Sequence, residues 1–187
     1  MHANELIKHL EEEKGVTLAE FVAETAIWAS PETFALLKQS FPDGCWFPNM
    51  RRARNNDPLP EGVRFDRNNY ANYAIRQVTG RNGTLDGFSA CHIYHDTCYD
   101  VRYHTCIANL ILAPRALESV TDHFPHVAAC LAFRALELYS WWPAEMKKPT
   151  KPDRYPQRWQ PAVPLSDAIR RKIERRSIAH RKQSELA

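Results

Sequence analysis

The run Ala108-Asn109-Leu110-Ile111-Leu112-Ala113 is apolar, of strand length, and stopped by Pro114. A second stretch with strand character, 88–94, precedes it, and the polar span 99–105 between them reads as a loop. After Pro114, residues 115–120 suit one or two helical turns. Thr121 or Asp122 then caps a longer helix in which Pro125 occupies the first turn and Val127, Leu131, Ala135 and Leu138 line one face. The centre of the chain is therefore strand, loop, strand, helix, and the expected fold class is α+β.

The flanking segments fit around that centre. Leu6 and Leu10 mark one helical face before a break at Gly15. Leu18, Phe21, Val22 and Ala26 mark a second. Ser30 is a good N-cap and Pro31 a good first helical residue, because the first turn needs a side-chain acceptor and can spare an N–H; Phe34 and Leu37 continue that helix. Residues 41–60 are rich in Pro and Asn and contain Arg51, Arg52 and Arg54. They read first as a surface loop, with a phosphate contact as the second reading. Tyr70, Tyr73, Ala74 and Val78 fit a helix that Gly80 ends in a left-handed conformation, and Asn82-Gly83 signals a tight turn. Six of the 13 prolines fall in 143–164, an extended connector that Trp141, Trp142 and Trp159 would dock onto the body. Ser166 then caps a basic helix over 167–176. The expected organisation is an N-terminal helical region (1–85), a core (86–142), and a connector with a basic tail (143–187), forming one compact domain with a C-terminal arm.

Composition bounds the function. With 44% apolar residues in 187, the chain can bury a core, which excludes wholesale disorder. No stretch approaches the roughly 18–20 apolar residues that span a bilayer, and the N-terminus lacks a basic-then-apolar leader. These features lead to the expectation of a cytoplasmic protein with no membrane partner, its five cysteines reduced. Four of the five Cys and five of the eight His lie between 91 and 130. The net charge of +3 divides unevenly: residues 1–145 carry 13 basic and 18 acidic side chains, net −5, and residues 146–187 carry 12 and 4, net +8. A cationic segment on a mildly acidic body is the footprint of an arm that meets polyanions.

His92 stands in Ala90-Cys91-His92-Ile93, Asn109 in Ala108-Asn109-Leu110, and His123 in Thr121-Asp122-His123. This order of His, Asn and His over strand, strand and helix resembles the HNH nucleases, whose ββα-metal motif has the same element order. The resemblance covers roughly residues 88–140. It implies a metal-dependent DNA endonuclease, with restriction-type cleavage as the first expectation. His92 would be the general base that takes a proton from the attacking water, and Asn109 would either orient the loop that holds it or fix its tautomer. A divalent metal (Mg, Mn or Zn) would stabilise charge gathering on the phosphorane and the leaving oxygen.

This chain departs from the family at the residue before the base, which is Cys91 rather than Asp or His. The spacing from Asn109 to His123 is also long. By similarity to colicin-type DNases, which close the motif with two His on the helix, the preferred metal set is Cys91, His123 and His126, with Glu118 and Asp122 as competitors. Arg115 would grip a phosphate, and Arg170, Arg171 and Arg175 of the basic tail would supply sequence-independent DNA binding. A palindromic target would call for a homodimer.

The rival reading is a zinc-stabilised nucleic-acid-binding module without catalysis, in which the His/Cys cluster holds structure; Cys98 and Cys106 with His95 and His104 are one candidate for a structural zinc site. A third is a protein-interaction factor with a basic tail.

Overall fold

The computed structural model describes Glu5, Pro58 and residues 17–51, 61–65, 68–81 and 87–184. The expected first helix at Leu6 and Leu10, the Arg52 and Arg54 positions and the Asn82-Gly83 turn lie outside the described residues. The fold class is α+β, as expected.

Helix α1 (Leu18–Thr25) begins at a reciprocal cap: the Thr17 hydroxyl accepts from the Glu20 N–H while the Glu20 carboxylate accepts from the Thr17 N–H, both at 3.2 Å. Helix α2 (Pro31–Lys38) starts as its sequence dictates, with Ser30 Oγ accepting from Thr33 N–H at 3.3 Å and Pro31 in the first turn. Two-residue strands β1 (Asn49–Met50) and β2 (Arg64–Phe65) pair in parallel. Helix α3 (Asn69–Val78) ends at Gly80, whose φ of +65° is the left-handed conformation that glycine adopts without strain.

Strands β3 (Phe88–His92) and β4 (Leu110–Pro114) form an antiparallel pair in which His92 faces Leu110 and Cys91 faces Ile111. Two strands alone leave unpaired edges, and both edges here are covered. On the β3 side, the Asn72 side chain accepts from Ala90 N–H (2.7 Å) and the Asn68 amide donates to Ala90 C=O (3.3 Å). On the β4 side, Ile27 exchanges both backbone hydrogen bonds with Leu112 (2.9 and 3.1 Å). The hairpin is thus sealed between α3 and the chain after α1. Ile107, Leu110, Ile111, Leu112 and Trp28 are fully buried around it.

Beyond β4 the structure departs from the single capped helix read from the sequence. A short helix α4 (Val120–His123) is separated from α5 (Pro125–Tyr139) by Phe124 at φ −124°, ψ 88°. The ring of Pro125 disfavours α geometry in the residue before it, so the chain breaks there. Helix α5 buries Val127, Leu131 and Ala135, as its period requires.

The Pro-rich connector is docked. Trp159 packs edge-on against Trp28 (6.0 Å), and Val163 N–H donates to Trp28 C=O (2.8 Å). Helix α6 (Asp167–Ser184) extends past the expected 167–176. It buries Ile169, Ile173 and Ser177 against α2 and α3, and Arg176 lies 4.7 Å over the Phe47 ring. The basic helix is therefore seated on the body along one face, with Arg170, Arg171 and Arg175 exposed on the rest.

Candidate active site at the end of the hairpin

His92 is the last residue of β3 and is only 7% exposed. Its Nε2 lies 2.9 Å from the carbonyl oxygen of His104. A carbonyl only accepts, so in the neutral ring Nε2 carries the proton and Nδ1 carries the lone pair. The fully buried His104 ring stacks against His92 with centroids 5.1 Å apart and planes inclined by 19°. One residue thus fixes His92 twice, in the ring plane through its carbonyl and across it through its side chain.

The segment that carries His104 is held on both sides. Thr105 accepts at its carbonyl from Trp46 N–H (3.3 Å), and its hydroxyl both accepts from Phe47 N–H (3.0 Å) and donates to Phe47 C=O (2.8 Å). On the other side stands Asn109, fully buried, with its amide spent on the loop between the strands. Oδ1 accepts from Tyr94 N–H (3.0 Å), and Nδ2 donates to Thr97 Oγ1 (2.8 Å) and Tyr103 C=O (3.1 Å). Of the two roles the sequence left open, these bonds match loop orientation. The tautomer is set by the His104 carbonyl.

His92 borders a polar cavity of about 130 Å³ that is also lined by Arg51, His95, Asp96, Glu118 and Asp122, with the buried thiols of Cys91 and Cys98 and the ring of Tyr99. Thr121 fastens α4 above it by donating to His92 C=O (2.9 Å). Burial pushes the Cys91 thiol up, a hydrogen bond with Thr121 draws it back only in part, and the charges of Asp122 and Glu118 push it further up. The exposed donors on this wall are the carboxylates of Asp96, Glu118 and Asp122 and the imidazole of His95, and the carboxylates suit a hard divalent cation held together with water.

The preferred set of Cys91, His123 and His126 is not brought together. Cys91 lines this cavity. His126 opens α5 with Nε2 3.6 Å from Cys130 Sγ and lines a separate hollow beside Thr17 and Leu18. His123, exposed at the end of α4, is not among the residues around His92. The break at Phe124 explains this: two His three positions apart share a face only on a continuous helix. Nor do the alternative zinc candidates converge, since Cys106 donates to Asp43 C=O (3.0 Å), His104 stacks on His92, and Cys98 and His95 line the cavity. Among the described residues no group of three or more His, Cys, Asp or Glu side chains is arranged to hold a metal. Arg115 is exposed after β4 and is not on the cavity wall.

Arg51 reaches the site, although its segment reads first as a surface loop and only second as a phosphate contact. It follows β1, and its N–H donates to Cys98 C=O at 2.8 Å, which brings its guanidinium to the cavity. That pairing joins positions far apart in the chain, and no local pattern announces it. Comparison of the chain with protein-family models, curated proteins and solved structures returns no match.

Proposed function

We propose that the protein is a metal-dependent DNA endonuclease of the HNH type, with restriction-type cleavage as its role. The observation that carries this reading is the anchored His92, with Nε2 tied to a backbone carbonyl and Nδ1 as the basic nitrogen, beside a cavity that also presents Arg51, Glu118 and Asp122. Hydrolysis of a phosphodiester needs a base for the attacking water, and His92 Nδ1 supplies it. As the ring gains a proton, its Nε2–H bond to the His104 carbonyl becomes charge-assisted and stronger, favouring the protonated product of that step. Stacking on His104 keeps the ring in the orientation that the water must meet.

Arg51 is the cation suited to grip the scissile phosphate, since its planar guanidinium matches two phosphate oxygens at once. Glu118 and Asp122 would hold the divalent cation, which when bound supplies Lewis-acid stabilisation to the charge developing on phosphate and leaving oxygen. The exposed Arg170, Arg171 and Arg175 on α6 add sequence-independent attraction for DNA. A palindromic site would engage two copies, as a homodimer.

A plasmid-nicking assay across magnesium, manganese and zinc tests the reading. Nicking that requires the metal and falls sharply in Glu118→Gln and Asp122→Asn supports it. Metal-independent folding with no nicking under any ion would overturn it. Unfolding on metal removal without nicking would favour the zinc-stabilised binding module instead.

A further inference from the structure

Two cysteines outside the His92 cavity face each other across the chain. Cys45 and Cys106 form an isolated antiparallel bridge pair. The hydrogen bond from Trp46 N–H to Thr105 C=O joins the next residue on one strand to the preceding one on the other. This makes Cys45–Cys106 the non-hydrogen-bonded kind of pair, in which Cα atoms approach most closely and side chains lie side by side on one face. That spacing falls within the range a disulfide spans without backbone movement.

The thiols are parked on nearby carbonyls. Cys45 Sγ donates to Arg102 C=O (2.7 Å) and Cys106 Sγ to Asp43 C=O (3.0 Å). The neighbouring Cys106 thiol, followed by burial, pushes the Cys45 thiol well up, in keeping with the side-by-side placement of the bridge pair. Cys106 is fully buried, whereas Cys45 is partly exposed on an apolar hollow of about 190 Å³ lined by Phe41, Trp46, Phe47 and Val101. A small neutral oxidant can reach Cys45 through that hollow.

We propose that Cys45 and Cys106 are an oxidative modification site, converted by hydrogen peroxide into an intramolecular disulfide. The thiolate fraction of Cys45 attacks peroxide; an S–O bond forms, the O–O bond breaks, and the hydroxide released takes up the proton the thiol has shed and leaves as one water. The Cys106 sulfur then displaces the sulfenic oxygen, which leaves as a second water with the two remaining protons. One peroxide accepts two electrons from two thiols. The link would staple the Cys45 loop to the segment that presents the His104 carbonyl to His92.

The test is a peptide map of the native full chain after brief peroxide treatment, alkylation of residual thiols and non-reducing digestion. The expected product is a Cys45 peptide joined to a Cys106 peptide, two hydrogens lighter than the sum, released by dithiothreitol and lost in Cys45→Ser. Cys106 fully alkylated after Cys45 has been oxidised to sulfinic acid would overturn the proposal, as would Cys45 remaining fully alkylatable, or links formed chiefly among Cys91, Cys98 and Cys130. Because the map reads chemistry rather than cleavage, it stands or falls apart from the nuclease assignment. Wild-type mapping decides the matter even if the serine variant does not fold.

Discussion

Asn109 spends its two amide protons and its carbonyl on Thr97, Tyr103 and Tyr94, and so ties together both ends of the excursion between β3 and β4. A buried group left without its partner costs roughly 1–3 kcal/mol. Asn109→Ala is therefore expected to lower the unfolding free energy by at least one such increment, read as a lower urea midpoint, and Thr97→Val by less, since it removes a single partner. Equal midpoints for Asn109→Ala and wild type would contradict the clamp. Arg51 predicts the opposite pattern: Arg51→Ala leaves the midpoint unchanged while weakening DNA cleavage, with Arg51→Lys in between because a point charge replaces the fork. His92 and Asn109 are legible in the sequence because they sit at fixed places on two short apolar runs. Arg51 is not, because its placement depends on a backbone bond to Cys98.

At the level of elements, the hairpin, α2, α3 and the docked connector follow from signals each segment carries itself, such as the Ser30-Pro31 start and Gly80. The separation of His123 from His126 has an equally local cause. Pro125 does stand in the first turn of α5, but its ring also forces Phe124 out of helical geometry, so two helices stand where the apolar period alone predicts one. Charge dominates the sequence of α6 and masks its buried face, which Ile169, Ile173 and Ser177 form at four-residue intervals. Truncating a fully buried Ile costs about 2–5 kcal/mol, so Ile173→Ala should lower the unfolding midpoint measurably. Replacing Arg170, Arg171 and Arg175 together by Gln should leave that midpoint alone. If the tail binds DNA, the same triple variant should flatten the salt dependence of affinity by about one unit of slope for each phosphate no longer neutralised.

For the whole molecule, the junction between the connector and the loop that joins β3 to β4 is charged. Arg102 pairs with both Asp100 and Glu145, and Tyr103 donates to Glu145 (2.7 Å). The Arg102 hydrogen bond holds Asp100 below its ordinary value, and the Tyr103 hydroxyl, with Arg102 behind it, does the same for Glu145. Carboxyls depressed in the folded state add stability above their unfolded pKa, near 4, and lose it as pH falls through the lower folded value. Thermal melts of wild type and Arg102→Ala should thus differ at neutral pH and converge as the pH falls through the depressed folded values of Asp100 and Glu145. A gap that persists unchanged at low pH would rule out this network as its source.

The proposed endonuclease activity rests on His92, whose ring is anchored beside the cavity and the clamped loop, acting as its base. The most direct measurement is single-turnover cleavage of a DNA duplex in magnesium or manganese by wild type and His92→Ala, at enzyme concentrations that saturate binding and with circular dichroism confirming equal folding. A positioned general base contributes about 10²–10⁴-fold. A base at His92 therefore predicts a loss of that order with DNA affinity unchanged, whereas cleavage by His92→Ala at the wild-type rate would rule it out.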